Sequence, residues 1–224
     1  MSSPTPWKKS RTHGDVFGGR KRLKLADNIF NRAHSLKRPA VNDELPILIQ
    51  DNPSRDFFFP LNAEETLAAI NALPKKDVEG ITHIWLRRIK KKDYVEQAQP
   101  LAWFICGSGV RLITLFPWPN DMILRYGTTK PSRKKITEAE QFGAKIDKID
   151  QIWVSRWTLE AVRKFYIQKI IFHEVGHHVD WYNRNWSKSN RNQVEEFADQ
   201  YAIAMTPNAT HVYDNLSQTD GTRG

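Results

Sequence analysis

The hydrophobic and polar positions between residues 158 and 182 repeat with the period of an α-helix. Apolar side chains recur three and four residues apart from Leu159 to Val179, as they do on the buried face of an amphipathic helix. Thr158 can cap the N-terminus, because its hydroxyl can accept a hydrogen bond from a backbone N–H that the first turn leaves free. The pattern predicts a helix from about Thr158 to about Tyr182.

A second helical segment is predicted for Val194–Ala202. Asn190 or Asn192 can supply its N-terminal cap. Pro207 cannot continue the helix, because proline has no backbone N–H and its ring clashes with the preceding turn. Two alanines of the segment lie four residues apart and are small enough for close approach to the first helix. The two helices are therefore predicted to pack against each other.

Shorter elements are predicted for the residues before the first helix. Runs rich in β-branched and aromatic residues favour strands, and a glycine-rich tripeptide between two such runs favours a hairpin. An asparagine before an apolar segment and a proline after it delimit a helix. These patterns predict an edge strand at Leu45–Ile49, a helix at Asn62–Leu73, a strand at Ile81–Ile89, a hairpin of Leu101–Cys106 and Val110–Phe116, and a loop at 120–150 with one short helix near Glu138–Ile146.

Length and composition indicate one folded domain with tails. A chain of 224 residues with 40% apolar residues and eight tryptophans can bury one substantial core. Together with the predicted elements, this indicates an α+β fold, in which a small, mostly antiparallel sheet packs on the long helix. We expect a tail at residues 1–40, the folded domain at 41–207 and a C-terminal tail at 208–224.

The chain carries no feature typical of an exported or membrane protein. Its single cysteine, Cys106, allows no internal disulfide, which fits a reducing compartment. No segment approaches the roughly 18 apolar residues of a membrane span, and the N-terminal residues lack the apolar stretch of a secretory signal. We therefore expect a cytoplasmic protein with no membrane partner.

Positive charge is concentrated at the N-terminus. Residues 1–40 contain ten Lys and Arg residues and two Asp residues, so this segment carries nearly all of the net charge of +9. Such a basic arm can bind nucleic acid through its phosphates without reading sequence, or it can serve only as a solubilising leader. The candidate contacts to a polyanion are Lys8, Lys9, Arg11, Arg20, Lys21, Arg22 and Lys24.

The candidate chemistry lies in a H-E-x-x-H motif near the end of the first helix. His173 and His177 are four residues apart, so on a helix both imidazoles point to one side and can bind one divalent metal ion. Glu174 lies beside the first histidine, where it can take a proton from a water on that metal. His178 is turned about 100° from His177 around the helix, so we do not count it as a ligand.

Zinc in a catalytic site needs a third protein ligand and an open position for water. On the second helix Glu195 and Asp199 share a face, because they are four residues apart. We assign Glu195 as the third ligand, and Asp199 as the acceptor that fixes the tautomer of a ligand histidine. Glu196 points about 100° away from Glu195 and is the alternative ligand. All three acids could instead form a solvated face, although Phe197 and the two alanines of the helix favour burial.

These two motifs resemble those of a known family. The H-E-x-G-H sequence, the later E-x-x-A-D-x-Y-A sequence, and Met205 and Pro207 after it resemble the ImmA/IrrE-type metallopeptidases. The family more often has Asn and Phe where this chain has Asp199 and Tyr201, and the aspartate matches the thermolysin-type E-x-x-x-D pattern. The resemblance covers about residues 170–207. It implies a zincin-like fold of the gluzincin type and cytoplasmic, site-specific cleavage of a protein, often a transcriptional repressor.

The residues and the resemblance together predict a zinc-dependent metalloendopeptidase. Zn²⁺ would be the cofactor and a protein or peptide, such as a transcriptional regulator, the substrate. The sequence offers Tyr201, His211 and Tyr213 as donors to the oxyanion and does not choose among them. The 101–116 hairpin either belongs only to the core or also pairs with an extended substrate.

Two other functions fit the sequence less well. One is a nucleic-acid-associated protein whose protease site acts on DNA-bound or regulatory proteins. The other is a regulatory module that uses the zincin fold without turnover. Glu174 argues against the second, because a purely structural zinc site needs no base and uses four protein ligands.

Overall fold

A computed structural model describes residues 36–91, Tyr94, 101–210 and 212–213. The seven basic residues predicted to contact a polyanion lie outside the described residues, as do most of the predicted tails and the candidate oxyanion donor His211. The described part is an α+β structure of small sheets and several helices. None of its helices is long and apolar enough to cross a bilayer.

The largest sheet has four strands in the order β1 (Ile47–Gln50), β3 (His83–Leu86), β5 (Val110–Leu115) and β4 (Ala102–Gly107). The strand β1 is parallel to β3, and β3 is parallel to β5; only β4 and β5 are antiparallel. The prediction of a mostly antiparallel sheet is therefore wrong for this sheet. The helices α1 (Ala63–Asn71) and α2 (Lys75–Val78) lie between β1 and β3 in the chain, and parallel strands require a long connection of this kind.

The predicted helix at Asn62–Leu73 is confirmed by α1 and its cap. The Asn62 side chain accepts a hydrogen bond from the backbone N–H of Glu65, and the Glu65 side chain accepts one from the backbone N–H of Asn62, each at 2.8 Å. This reciprocal pair satisfies two N–H groups that the first turn cannot. The predicted edge strand and the predicted hairpin are also confirmed, as β1 and as β4 with β5.

The region predicted as a loop at 120–150 instead forms most of a second sheet. Its strands are β7 (Ile123–Gly127), β9 (Ile152–Arg156) and β8 (Lys145–Ile149), in that order, with α3 (Arg133–Gln141) between β7 and β8. A two-residue turn, Asp150–Gln151, joins β8 to β9, and both residues have positive φ, 46° and 67°. Such turns normally carry glycine at the second position, so Gln151 leaves this hairpin without its usual sequence signal. A short ladder of β2 (Phe57–Phe58) and β6 (Trp118–Pro119) completes the strands described.

The predicted long helix is confirmed in extent, although it is not a regular α-helix throughout. It consists of α4 (Leu159–Phe165), a π-helical segment (Tyr166–Ile171) and α5 (Phe172–Asn183). The Thr158 hydroxyl accepts from the N–H of Ala161 at 3.2 Å, as predicted for the cap. The π-helical segment, which the apolar period did not predict, ends at Ile171, two residues before the first histidine of the H-E-x-x-H motif. Such segments are frequent at functional sites.

The helix α6 (Arg191–Met205) packs along α5, and short 3₁₀ turns precede and follow it (Lys188–Asn190 and Thr206–Ala209). Gly176 is the point of closest approach: a Cβ there would lie 2.8 Å from the Cα of Ala198 and 3.1 Å from the Cβ of Tyr201. A side chain at this position would collide with the backbone of α6. The glycine therefore lets the two helices bring their polar side chains together.

We expect Gly176→Ala to destabilise the protein. Alanine is favoured over glycine in a helix by about 1 kcal/mol, but overpacking of a tight contact costs about 1–3 kcal/mol. The clash is with the backbone of Ala198, which cannot rotate away as a side chain can. We therefore expect the free energy of unfolding to fall by roughly 1–2 kcal/mol. Urea unfolding measures it, with Thr137→Ala on the exposed face of α3 as the control. A Gly176→Ala protein as stable as the wild type would contradict the close approach.

Candidate metal centre

Two histidines on successive turns of α5 form the first half of the site. The rings of His173 and His177 are 4.5 Å apart between centroids and nearly perpendicular, at 86°. His177 is 8% exposed, and His173 is partly buried. Both Nε2 atoms point toward the same carboxylate on α6, so the predicted convergence of the two imidazoles is present in the structure.

Glu195 of α6 supplies that carboxylate. Its Oε2 lies 3.4 Å from Nε2 of His173 and 3.7 Å from Nε2 of His177, and one ligand atom from each of the three residues lies within 4.8 Å of the others. Atoms bound about 2.1 Å from a tetrahedral zinc lie roughly 3.4 Å apart. The three side chains could therefore hold one metal ion of the size of zinc.

The alternative ligand, Glu196, lies elsewhere. Its side chain is exposed, and its Oε1 accepts a hydrogen bond from Gln200 at 3.4 Å, one turn further along the outer face of α6. The structure thus brings Glu195, and not Glu196, to the two histidines.

Asp199 contacts His173 at Nδ1, the ring nitrogen that does not face Glu195. The Asp199 Oδ1 lies 3.1 Å from Nδ1 of His173, so Nδ1 donates to this carboxylate and Nε2 is the nitrogen that faces Glu195, the orientation predicted for Asp199. Lys134 of α3 donates to Oδ2 at 2.8 Å, and Lys169 lies 3.6 Å from Oδ1. The hydrogen bond from His173, with that from Lys134, holds the pKa of the Asp199 carboxyl well below its usual range.

The pKa values of the two histidines are shifted in opposite directions. Burial lowers the pKa of His173, but hydrogen bonds to Asp199 and Glu195 outweigh it and raise that pKa to about 9. Burial, together with the charge of His173, lowers the pKa of His177 to about 4. In the metal-free protein at neutral pH, His173 is therefore an imidazolium between two carboxylates, and His177 is neutral.

We expect zinc binding at pH 7 to release about one proton, because His173 must be neutral before its Nε2 can bind a metal. The pKa of about 9 means that this proton is present below pH 9 and lost above it. The apparent zinc affinity should rise about tenfold per pH unit between pH 7 and 9, then level off. Calorimetry in buffers of different ionisation enthalpy counts the protons released. A pH-independent affinity over this interval would contradict the assignment.

Glu174 lies next to His173 in the chain and is not one of the three candidate ligands. It is 7% exposed, the backbone N–H of Phe104 on β4 donates to its carboxylate, and its Oε2 has no hydrogen-bond partner among the described residues. Burial, and then the charge of Glu195, raises the pKa of this carboxyl to about 7 against the opposing effect of His173. A carboxyl with a pKa near neutrality can both take and give a proton there.

These side chains open into a cleft of about 1080 Å³ between the helices and β4. One wall is the face of α5 that carries His173, Glu174 and His177. Residues of β4 also line the cleft, as does Trp186 on the loop between α5 and α6. A group bound at the histidines would therefore lie beside a sheet edge.

The structure places the candidate oxyanion donors Tyr201 and Tyr213 outside the cleft. The Tyr201 hydroxyl donates to Asp77 of α2 at 3.0 Å, the Tyr213 hydroxyl lies 3.5 Å from the carbonyl of Lys164, and neither residue lines the cleft. Neither tyrosine is therefore placed to donate to an oxyanion in this conformation. His178, which is 1% exposed, lies with Nε2 3.0 Å from the carbonyl of Glu79, so it is a buried structural residue.

Several residues of the site have no signal in the sequence. Lys134 is 65 positions from Asp199, and Phe104 and Trp186 are ordinary apolar residues of a strand and a loop. Lys169 could have been found, because it lies one turn before His173 on the same helix. It also pairs with Glu138 of α3 at 2.9 Å, so α3 is held against the site by two charged contacts.

Comparisons of the chain with protein-family models, with curated proteins and with solved structures found no match. The case for a function therefore depends on the side chains of the cleft and on their geometry.

Proposed function

We propose that the protein is a zinc-dependent endopeptidase with a zincin-like fold. The observation that carries this proposal is the convergence of His173, His177 and Glu195 on one point, with the buried carboxylate of Glu174 beside them. Three N and O ligands with an open fourth position are typical of catalytic zinc, whereas structural zinc is enclosed by four protein ligands. When bound, zinc would supply an activated water and polarise a carbonyl oxygen.

The chain's own residues account for the proton transfers of peptide hydrolysis. Glu174 takes the proton of the attacking water and returns it to the leaving amine. The N–H of Phe104 holds one oxygen of this carboxylate, while Oε2 remains without a partner among the described residues and can receive the proton. Asp199 keeps His173 in the tautomer that binds metal through Nε2.

Among the described residues no strand pairs with the outer edge of β4, and such an edge suits a polypeptide substrate. The N–H of Phe116 donates to the carbonyl of Leu101 at 2.9 Å, so by the strand register the odd-numbered residues of β4 bond to β5. Even-numbered residues such as Ala102 and Phe104 direct their backbone groups to the cleft. The N–H of Phe104 already donates to Glu174. An extended peptide would therefore pair with the backbone of β4 before and after Phe104.

The resemblance to ImmA/IrrE-type metallopeptidases suggests a type of enzyme and a class of substrate. It supports a cytoplasmic enzyme of the gluzincin type that cleaves a regulatory protein, with Glu195 on the second helix as the third ligand. The basic segment at residues 1–40 adds an alternative, in which the protease acts on proteins bound to nucleic acid. Retention of the chain on DNA that falls steeply with salt would favour this alternative.

Proteolysis by the zinc-loaded full chain is the test of the proposed function. We expect cleavage of an unfolded protein such as reduced casein, inhibition by 1,10-phenanthroline and recovery on adding zinc. A His173→Ala protein prepared in parallel is the control for a contaminating protease. No cleavage by the zinc-loaded wild type, or equal cleavage by His173→Ala, would overturn the proposal.

A further inference from the structure

The loop between α5 and α6 places a tryptophan against a metal-ligand histidine. The ring of Trp186 lies 5.3 Å from that of His177, between centroids, at an angle of 71°. Trp186 is partly buried and lines the cleft. A side chain that enters the cleft beside His177 therefore meets this indole.

A buried carboxylate holds Trp186 in place. Asp180 is fully buried and accepts a hydrogen bond from Nε1 of Trp186 and another from Nε of Arg184, both at 2.9 Å. Asp180 lies three residues after His177 on α5, so the same helix carries the metal ligand and the acceptor that orients the indole. Because the indole nitrogen is satisfied inside the protein, Trp186 presents an apolar and rigid surface to the cleft.

Two further aromatic rings extend this surface toward the base. Trp181 lies 5.1 Å from Trp186, and Phe104 lies 5.9 Å from Trp186, between ring centroids. Phe104 is also the residue of β4 whose backbone N–H holds Glu174. The aromatic wall, defined as Phe104, Trp181 and Trp186, therefore adjoins both the proposed base and a proposed metal ligand.

We propose that the aromatic wall is a specificity subsite for a large apolar side chain in the substrate residue next to the scissile bond. This inference rests on the proposed function and adds its substrate class. Successive side chains of an extended peptide point to opposite faces, so one residue adjoining the cleaved bond faces the wall. An acidic side chain there would lose its hydration against three aromatic rings, whereas an aromatic, leucine or methionine side chain would gain contact.

Cut-site profiling with the zinc-loaded full chain tests the inference. The substrate is a peptide library randomised on both sides of the cleavage point, with products identified by mass spectrometry. We expect Phe, Tyr, Trp, Leu or Met to exceed Ala and Asp by about tenfold or more at one position adjoining the scissile bond. In Trp186→Ala this preference should shrink severalfold. For a peptide with the preferred side chain, KM should rise, and the zinc content should remain unchanged.

Two controls separate the outcomes. Trp153→Ala removes a tryptophan of the second sheet that does not line the cleft, and its profile should equal that of the wild type. Trp186→Phe keeps an apolar ring and should retain most of the preference. Cleavage by the wild type without apolar preference at either adjoining position would overturn this inference alone, whether or not Trp186→Ala folds. No cleavage by the wild type would overturn the proposed function and this inference together.

Discussion

Replacing Glu174 with glutamine is expected to lower kcat by about 10²–10⁴-fold, the range that a lost general base accounts for. The amide is nearly the same size as the carboxylate, and its oxygen can still accept the N–H of Phe104. It cannot take a proton from water. Because Glu174 is not among the three residues that converge on the metal position, zinc content should remain one per chain.

Cleavage assays of zinc-loaded Glu174→Gln and wild type, with zinc measured on the same samples, test this expectation. Glu196→Gln is a suitable control, because it makes the same chemical change at an exposed carboxylate of α6 and should leave kcat unchanged. Turnover close to that of the wild type in Glu174→Gln would eliminate the proposed base.

Glu195→Ala is expected to weaken zinc binding by more than about 100-fold, whereas Glu196→Ala should leave it nearly unchanged. Partners that only orient a ligand are worth about 10–100-fold in metal affinity, and loss of a ligand should exceed that. The expectation follows from the 3.4 and 3.7 Å separations between Glu195 Oε2 and the two histidine nitrogens. Competition with a chromophoric chelator measures both affinities. Release of zinc by Glu196→Ala, with Glu195→Ala unaffected, would show that α6 presents its other face.

Local chemistry made the two site helices predictable. Their signals depend only on neighbours a few residues away: the apolar period, the cap at Thr158 and the helix end at Pro207. The sequence therefore predicts α4–α5 and α6 and the faces that they bury. The close approach of the two helices was predicted from the two small alanines of α6, and Ala198 is the residue that Gly176 meets. His173, His177 and Glu195 then converge because the two faces pack together.

Non-local pairing made the sheets harder to predict. Nothing in Ile47–Gln50 or His83–Leu86 distinguishes parallel from antiparallel neighbours, because both are short apolar runs. The strand β8 has two isoleucines three residues apart among three charged residues, so it lacks the two-residue period of a strand and resembles a surface loop. Its turn at Asp150–Gln151 adopts positive φ without glycine, so the usual hairpin signal is missing.

The residues around the candidate metal centre could not be predicted for the same reason. Lys134 reaches Asp199 only because α3 folds back over the site, and Phe104 reaches Glu174 only because β4 is an edge strand. Both contacts join segments about 65 to 70 residues apart in the sequence. Sequence reasoning finds ligands at helical spacing, whereas it does not find the residues that orient them from distant elements.

The central claim is that His173, His177 and Glu195 bind one zinc ion, and the zinc content of the full chain tests it most directly. The chain, purified without chelators and dialysed against buffer containing trace zinc, should retain one zinc per molecule by mass spectrometry under native conditions. A His173→Ala, His177→Ala double variant prepared in the same way should retain none. Absence of zinc from the wild type, or equal zinc in the double variant, would contradict the account.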